Sequence, residues 1–417
     1  MAKSDVHDVA VIGAGPAGLS VAYELAKAGM VPLVLEKTPH VGDVWRNHYD
    51  GLRLNTGRFL SRLPGSPFPS AAGSWPSRDE MVRILESFPT RGGFTVQTGI
   101  EIRNVRHDAQ RDVWSIRSED GRQFEAEAVV VATGGARIPV MPEWEGMETF
   151  PGEIMHSTKF RSAKTHAGKR VLVVGSGNSA AEIASRLAQY AQSVTISVRT
   201  PPHILPKSIY GIPLVGIGVA TRKLPLMLVD RLLDFLQRRF IGDLTPYGLP
   251  FPAFRLSEQF ARTQVVPILY YPFVEDVRGG RIRVVGPVTK ICGNTVHVFE
   301  SIEASRAKQG REATLEADVI VAGTGFRTGI SELVQAPGIT TQDDRPVVLG
   351  DQEFPDAPRL YFIGQLNPLS GQLREIRLEA GRIARRIGKQ LEEKRSHSLA
   401  AKPRAVTEKG IGEGSGT

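Results

Sequence analysis

Cysteine is almost absent: the 417 residues contain one, Cys292. A single thiol forms no internal disulfide and leaves no C-x-x-C or C-x-x-x-x-C pair, so thiol–disulfide exchange within the chain is excluded. Cys292 lies in the apolar stretch ICGNTVHVF and is expected to be a small buried hydrophobe. Long apolar runs are missing too. No eighteen consecutive residues are apolar, and MAKSDVHDVAVIG carries no apolar signal region, which predicts a cytoplasmic protein without a transmembrane segment. There is no serine triad, no pair of carboxylates at catalytic spacing and no metal-ligand cluster, so any chemistry must come from a bound group. The net charge of +8 is no nucleic-acid signature. Residues 381–417 hold nine Lys or Arg against four Glu, so most of the excess belongs to the end of the chain, and no stacking aromatics are interleaved with it.

Glycine, by contrast, is placed with purpose. GAGPAGLS follows the β-branched run DVAVI and opens the apolar-periodic stretch LSVAYELAKAG, giving strand, tight turn and helix in sequence. Gly13 suits the turn, Gly15 lets backbone approach a pyrophosphate, and Gly18 lets the helix pack on the strand, with Pro16 and Ala17 at the helix start. Unpaired N–H groups at that helix N-terminus attract phosphate. After a second strand, VPLVLEK, Glu36 and Lys37 arrive about twenty residues downstream, where a carboxylate accepts hydrogen bonds from ribose hydroxyls. This first site reads as FAD-binding.

A second copy follows KRVLVV. It supplies Gly175, Ser176, Gly177, Asn178 and Ser179, and places Ala180 where the third glycine would stand. Its second strand, SVTISVRT, ends in Arg199 instead of an acid, and a guanidinium pairs with a 2′-phosphate that a carboxylate would repel. This site reads as NADPH-binding, with Lys207 a further candidate for the phosphate. The expected fold class is α/β, two Rossmann-like dinucleotide-binding domains with the NADPH domain inserted into the FAD domain. Residues 1–157 form the first part of the FAD domain, ending near EAEAVVVATGG with Ala132, Thr133 and Gly134 at its glycine turn. Residues 158–314 form the insert, and 315–393, beginning with the similar EADVIVAGTGF, return to the FAD domain. The polar, glycine-rich residues 394–417 read as a disordered tail. LPLMLVDRLLDFLQRRF has apolar residues at helical spacing and is expected to be a packed helix, a homodimer interface or a membrane-surface contact being the alternatives.

FPGEIMHSTKF, with Phe150, Gly152, His156 and Phe160 in F-x-G-x-x-x-H-x-x-x-F spacing, resembles the identifying sequence of flavin-containing and Baeyer–Villiger monooxygenases, whose last position is more often Tyr or Trp. GDVWRNHYDGLRLNT, LPGSPFP, VTISVRTPPHILPKSIYG and TPYGLPFP are similar to the YUCCA-type branch of that family, and the similarity covers nearly all of residues 8–390. The resemblance implies FAD and NADPH as cofactors, with Val44, Trp45 and Gly364 on the flavin side. It implies reduction of FAD by NADPH, use of O2 through a C4a-(hydro)peroxyflavin, and oxidative decarboxylation of an aromatic 2-keto acid such as indole-3-pyruvate. Arg53 or Arg58 is then a candidate for the substrate carboxylate. N- or S-oxygenation of small amines or sulfides, and NADPH-dependent flavin reduction without oxygenation, are the alternatives. His156 fits a structural hinge at the crossing between domains better than a catalytic acid or base. Asn55 is read either as a group facing the flavin's reactive edge or as a turn residue beside Gly57. Gly323 departs from the alanine that the family has at its second A-T-G turn.

Overall fold

Each fingerprint grows out of the middle of its own sheet. In the computed structural model, which describes residues 6–221, 223–306, 310–366 and 368–400, the run Val6–Ile12 is a central strand of a seven-stranded sheet. It pairs in parallel with Pro32–Leu35 on one side and Gln123–Val131 on the other. Leu360–Phe362 adds in parallel to the far half of Gln123–Val131, while Val113–Ser118 and Ile102–Asp108 extend the near half as an antiparallel ribbon. A strand covered on both faces must be apolar on both. Val9, Ala10 and Val11 accordingly have no exposed surface. The helices Pro16–Lys27, Arg78–Gly92 and Gln372–Ala400 share one core on one face. Arg78–Gly92 starts at a capping box, Ser77 and Glu80 satisfying each other's backbone N–H groups, and stops at Gly93 in the left-handed region.

The second sheet runs Ile282–Val285, Ser193–Ser197, Arg170–Val174, Val319–Ala322, Glu153–His156, every pairing parallel. An antiparallel meander of Val288–Cys292, Thr295–Phe299 and Glu312–Glu316 shares a core with Phe150 and Leu172 of this unit. Two short segments, Ile138–Pro139 and Phe326–Arg327, pair antiparallel where the chain passes between units.

Those pairings move both expected crossings. Glu153–His156 and Val319–Ala322 both belong to the second sheet, so the insert begins well before residue 158 and ends after residue 314. EADVIVAGTGF is the insert's own strand and glycine turn; it echoes EAEAVVVATGG because each supplies the parallel strand beside its unit's fingerprint strand, and a strand's sequence does not say whose sheet it joins. The last helix runs to Ala400, so residues 394–400 of the expected tail are helical; 401–417 lie outside the described residues. Cys292 is exposed, not buried. Strand alternation explains it: Ile291 points into the core, so its neighbour points out. Leu226–Leu236 is a helix, as expected, that buries Asp230 and Leu236 while Leu226, Met227 and Phe235 stay exposed. No helix among the described residues is long and apolar enough to cross a membrane.

Candidate functional site

The first glycine turn opens onto a cleft lined by Gly13, Gly15, Pro16, Ala17, Glu36, Lys37, Val44, Trp45, Ala132, Thr133, Gly134 and Gly364. Residues from five separated stretches of sequence therefore meet at one place. Gly18 stands behind the turn. A methyl on it would lie 1.8 Å from the Gly13 carbonyl oxygen, so glycine is required there by helix–strand contact. Gly13 has φ +105°, and a side chain on it would meet the Ala132 carbonyl at 2.7 Å. Gly15 faces open space instead, which leaves its backbone bare toward the cleft.

Glu36 is 8% exposed and already fixed: its Oε2 accepts from the Ala14 N–H at 2.7 Å, and its Oε1 from the Thr38 N–H at 2.9 Å and hydroxyl at 2.8 Å. The Thr133 hydroxyl is buried at the cleft wall without a protein partner. A hydroxyl left unpaired inside a protein costs free energy unless something bound there completes it. Open backbone at Gly15, a fixed acid and an orphan hydroxyl together fit a dinucleotide. The cleft also includes Arg137, Gln372 and Leu373, which the sequence reading missed. Gln372 and Leu373 open the last helix just after RLYFIGQLNP, a placement the motif hinted at; Arg137, which donates to the Gly329 carbonyl at 2.7 Å, had no sequence signal.

The second turn repeats the geometry with one exchange. Gly175 has φ +135°, and a methyl on it would fall 2.2 Å from the Gly323 carbonyl; Gly177, like Gly15, faces open space. Ala180 is buried, and its methyl fills the room that Gly323 leaves, since a side chain at 323 would lie 2.9 Å from it. Asn178 is committed to structure: its Nδ2 donates to the Pro267 carbonyl at 2.8 Å and its Oδ1 accepts from the Leu269 N–H at 2.9 Å. Ser176 is half-buried beside the turn, and Ser179 and Arg199 are exposed. Lys207 lies elsewhere, its ammonium 4.5 Å over the ring of Trp75 from the first unit.

The F-x-G-x-x-x-H-x-x-x-F residues hold the insert together. Phe150 and Phe160 are buried, Phe160 stacking on His166 at 5.6 Å; a methyl on Gly152 would lie 2.2 Å from the Asp318 carbonyl. His156 is 4% exposed and uses both ring nitrogens. Its Nδ1 accepts from the Thr158 N–H at 3.2 Å, which leaves Nε2–H to donate to the Gly325 carbonyl at 3.1 Å. Burial holds its pKa below the ordinary imidazole range, the Gly325 bond opposing that in part. A neutral, fully engaged imidazole at the end of the strand Glu153–His156 is a tie between that strand and the returning chain. Asn55 does not line the cleft, and its amide makes no hydrogen bond within the described residues. Its neighbour Thr56 packs on Gly371, one residue before the cleft-lining Gln372. Arg58 lies over the Phe59 ring at 4.9 Å.

This geometry has counterparts. Residues 10–208 match the pyridine nucleotide-disulphide oxidoreductase family. The chain is 32% identical over 366 residues to indole-3-pyruvate monooxygenase YUCCA1 of Oryza sativa subsp. japonica, covering 86% of each protein. The chain belongs to the YUCCA-type flavin monooxygenases. Its fold is shared by a flavin monooxygenase variant from Stenotrophomonas maltophilia (24% identity, TM-score 0.68, 93% of this chain and 99% of that one). It is shared also by an NADP+-bound cyclohexanone monooxygenase from Rhodococcus sp. Phi1 (19% identity, TM-score 0.67, 94% and 85%). This YUCCA-type protein is thus an oxidoreductase of the monooxygenase class. The disulphide chemistry in the wider family's description has no cysteine pair here to support it.

Proposed function

We propose that this YUCCA-type monooxygenase converts an aromatic 2-keto acid to the acid one carbon shorter. The balance is one keto acid, one O2, one NADPH and one proton in, and one carboxylate, one CO2, one NADP+ and one water out. The observation that carries this reading is the likeness to the rice indole-3-pyruvate monooxygenase over 366 residues, 86% of each chain. When bound, the flavin supplies the oxygen chemistry with electrons from NADPH.

The chain's own residues do the holding. The backbone N–H groups at the start of the helix Pro16–Lys27 would hold the FAD pyrophosphate, Glu36 would take the ribose, and Thr133 would offer its hydroxyl from the cleft wall. Val44 and Trp45 line the same cleft and would border the bound flavin. Gly177 would open the corresponding cradle for NADPH, and Arg199, exposed beyond the second strand, would take the 2′-phosphate.

The test is product mass spectrometry with NADPH and oxygen-18 gas against indole-3-pyruvate, phenylpyruvate, an amine and a sulfide. One labelled oxygen in the shortened acid, with CO2 release, is expected. An N-oxide or S-oxide with intact keto acid would overturn it, as would NADPH oxidation that labels no organic product.

A further inference from the structure

Lys207 has no part in the roles above. It stands between the second sheet and the hairpin Ser208–Pro213, half-buried, with its ammonium against the face of Trp75. From the first unit, Arg53 reaches the same tryptophan, its Nη1 donating to the Trp75 carbonyl at 2.9 Å. Neither cation has a carboxylate within ion-pair distance among the described residues. The acid whose charge reaches Lys207 is Glu182, and Arg186 holds it at 2.8 Å. Two like charges gathered at a seam without a counter-ion repel each other, and an anion between them relieves that. Leu205 and Leu214, on either side of Lys207 in sequence, are buried in one core cluster with Val215, and Leu60 and Leu369 pack against it. Gly57 abuts Pro213 of the hairpin, which brings the R-L-N-T-G loop bearing Asn55 to the same seam.

We propose that Lys207 and Arg53 together form the subsite for the substrate's carboxylate. A cation pair without a counter-ion selects an anionic substrate and discriminates against neutral ketones, amines and sulfides. Burial pushes the Lys207 ammonium down to about 8, the nearby Glu182 opposing and Arg53 reinforcing the fall, so a bound carboxylate also restores its charge. The subsite rests on the keto-acid reading for its natural occupant.

The experiment uses the FAD-loaded full chain and two unreactive probes of one shape, indole-3-propionate and indole-3-propionamide, as inhibitors of NADPH-dependent turnover. Lys207→Met is expected to weaken the carboxylate at least about ten-fold and the amide less than about two-fold, because one charge-assisted hydrogen bond is lost. Arg53→Gln should act the same way, and Lys207→Arg should recover most of the carboxylate affinity. Flavin content and the NADPH KM should not change, which separates a lost subsite from a damaged fold. Equal weakening of both probes, or none, would overturn the subsite; so would a rise in the NADPH KM, which would give Lys207 to the cofactor's phosphate. Were keto acids converted while Lys207→Met matched wild type, the subsite alone would fall. Were only amines or sulfides oxygenated while the carboxylate preference still depended on Lys207, the keto-acid reading alone would fall.

Discussion

The two glycine turns solve the same packing problem with one methyl group placed on opposite partners. In the first unit the helix carries Gly18 and the neighbouring strand end carries Ala132; in the second the helix carries Ala180 and the strand end Gly323. A methyl added at Gly18 would lie 3.3 Å from the Ala132 methyl, and one added at Gly323 2.9 Å from that of Ala180. Each junction has room for one methyl, not two. Gly323, a departure when read alone, is thus the complement of Ala180. The exchange is not quite symmetric, because Gly18 is also pressed onto the Gly13 carbonyl whereas Gly323 meets only Ala180. Small-to-large changes in such contacts typically cost about 1–3 kcal/mol, and more where rigid backbone is the obstacle.

The asymmetry sets the order of expected effects. Gly18→Ala should be the most damaging, destabilising the first unit by about 3 kcal/mol or more and abolishing flavin retention, as read by denaturant unfolding and bound FAD absorbance. Full flavin occupancy in that variant would break the comparison. Arg199→Ala should raise the NADPH KM at least about ten-fold and the NADH KM by less than about two-fold, since one charge-assisted contact to the 2′-phosphate is lost. Equal effects on both coenzymes would remove Arg199 from that role and with it the contrast to Glu36. Gly323→Ala should cost about 1–3 kcal/mol, and adding Ala180→Gly should recover at least about 1 kcal/mol of it in a double-mutant cycle. Strict additivity would show that the methyls do not compete.

The smallest effect concerns the tie between the strand Glu153–His156 and the turn after Val319–Ala322. His156 is held neutral by burial, with its pKa below 6.5, so the unfolded chain takes up its proton first as pH falls. Its contribution to stability is complete above the unfolded pKa of 6.5 and declines as pH drops below it toward the folded value. His156→Gln should therefore lose stability less steeply than wild type between pH 7 and 5.5, a difference of about 1 kcal/mol or less by thermal unfolding. Parallel pH profiles would show that His156 titrates alike in both states.

Much of the fold was legible because its determinants are local. Gly13, Gly18 and Gly175 answer to backbone angles and contacts within one strand–turn–helix, and Ser77 and Glu80 to a single helix end. The cleft was legible for a related reason: both fingerprint and ribose acid sit at fixed intervals along one βαβ unit. Legibility ended where partners come from afar. The sheet that Val319–Ala322 joins, the pairing of Gly323 with Ala180, Arg137 at the cleft and the exposed side of Cys292 depend on segments up to hundreds of residues apart.

By itself, then, the sequence determined two nucleotide turns, opposite charges at their ribose positions, and the exclusion of thiol exchange, since each is set by residue type at short spacing. Only the tertiary structure decided where one unit ends and the next begins, that His156 is a neutral tie, and that Lys207 stands over Trp75, which Arg53 also reaches. Those facts are relations between surfaces, and the chain carries no local mark of the surface it will meet.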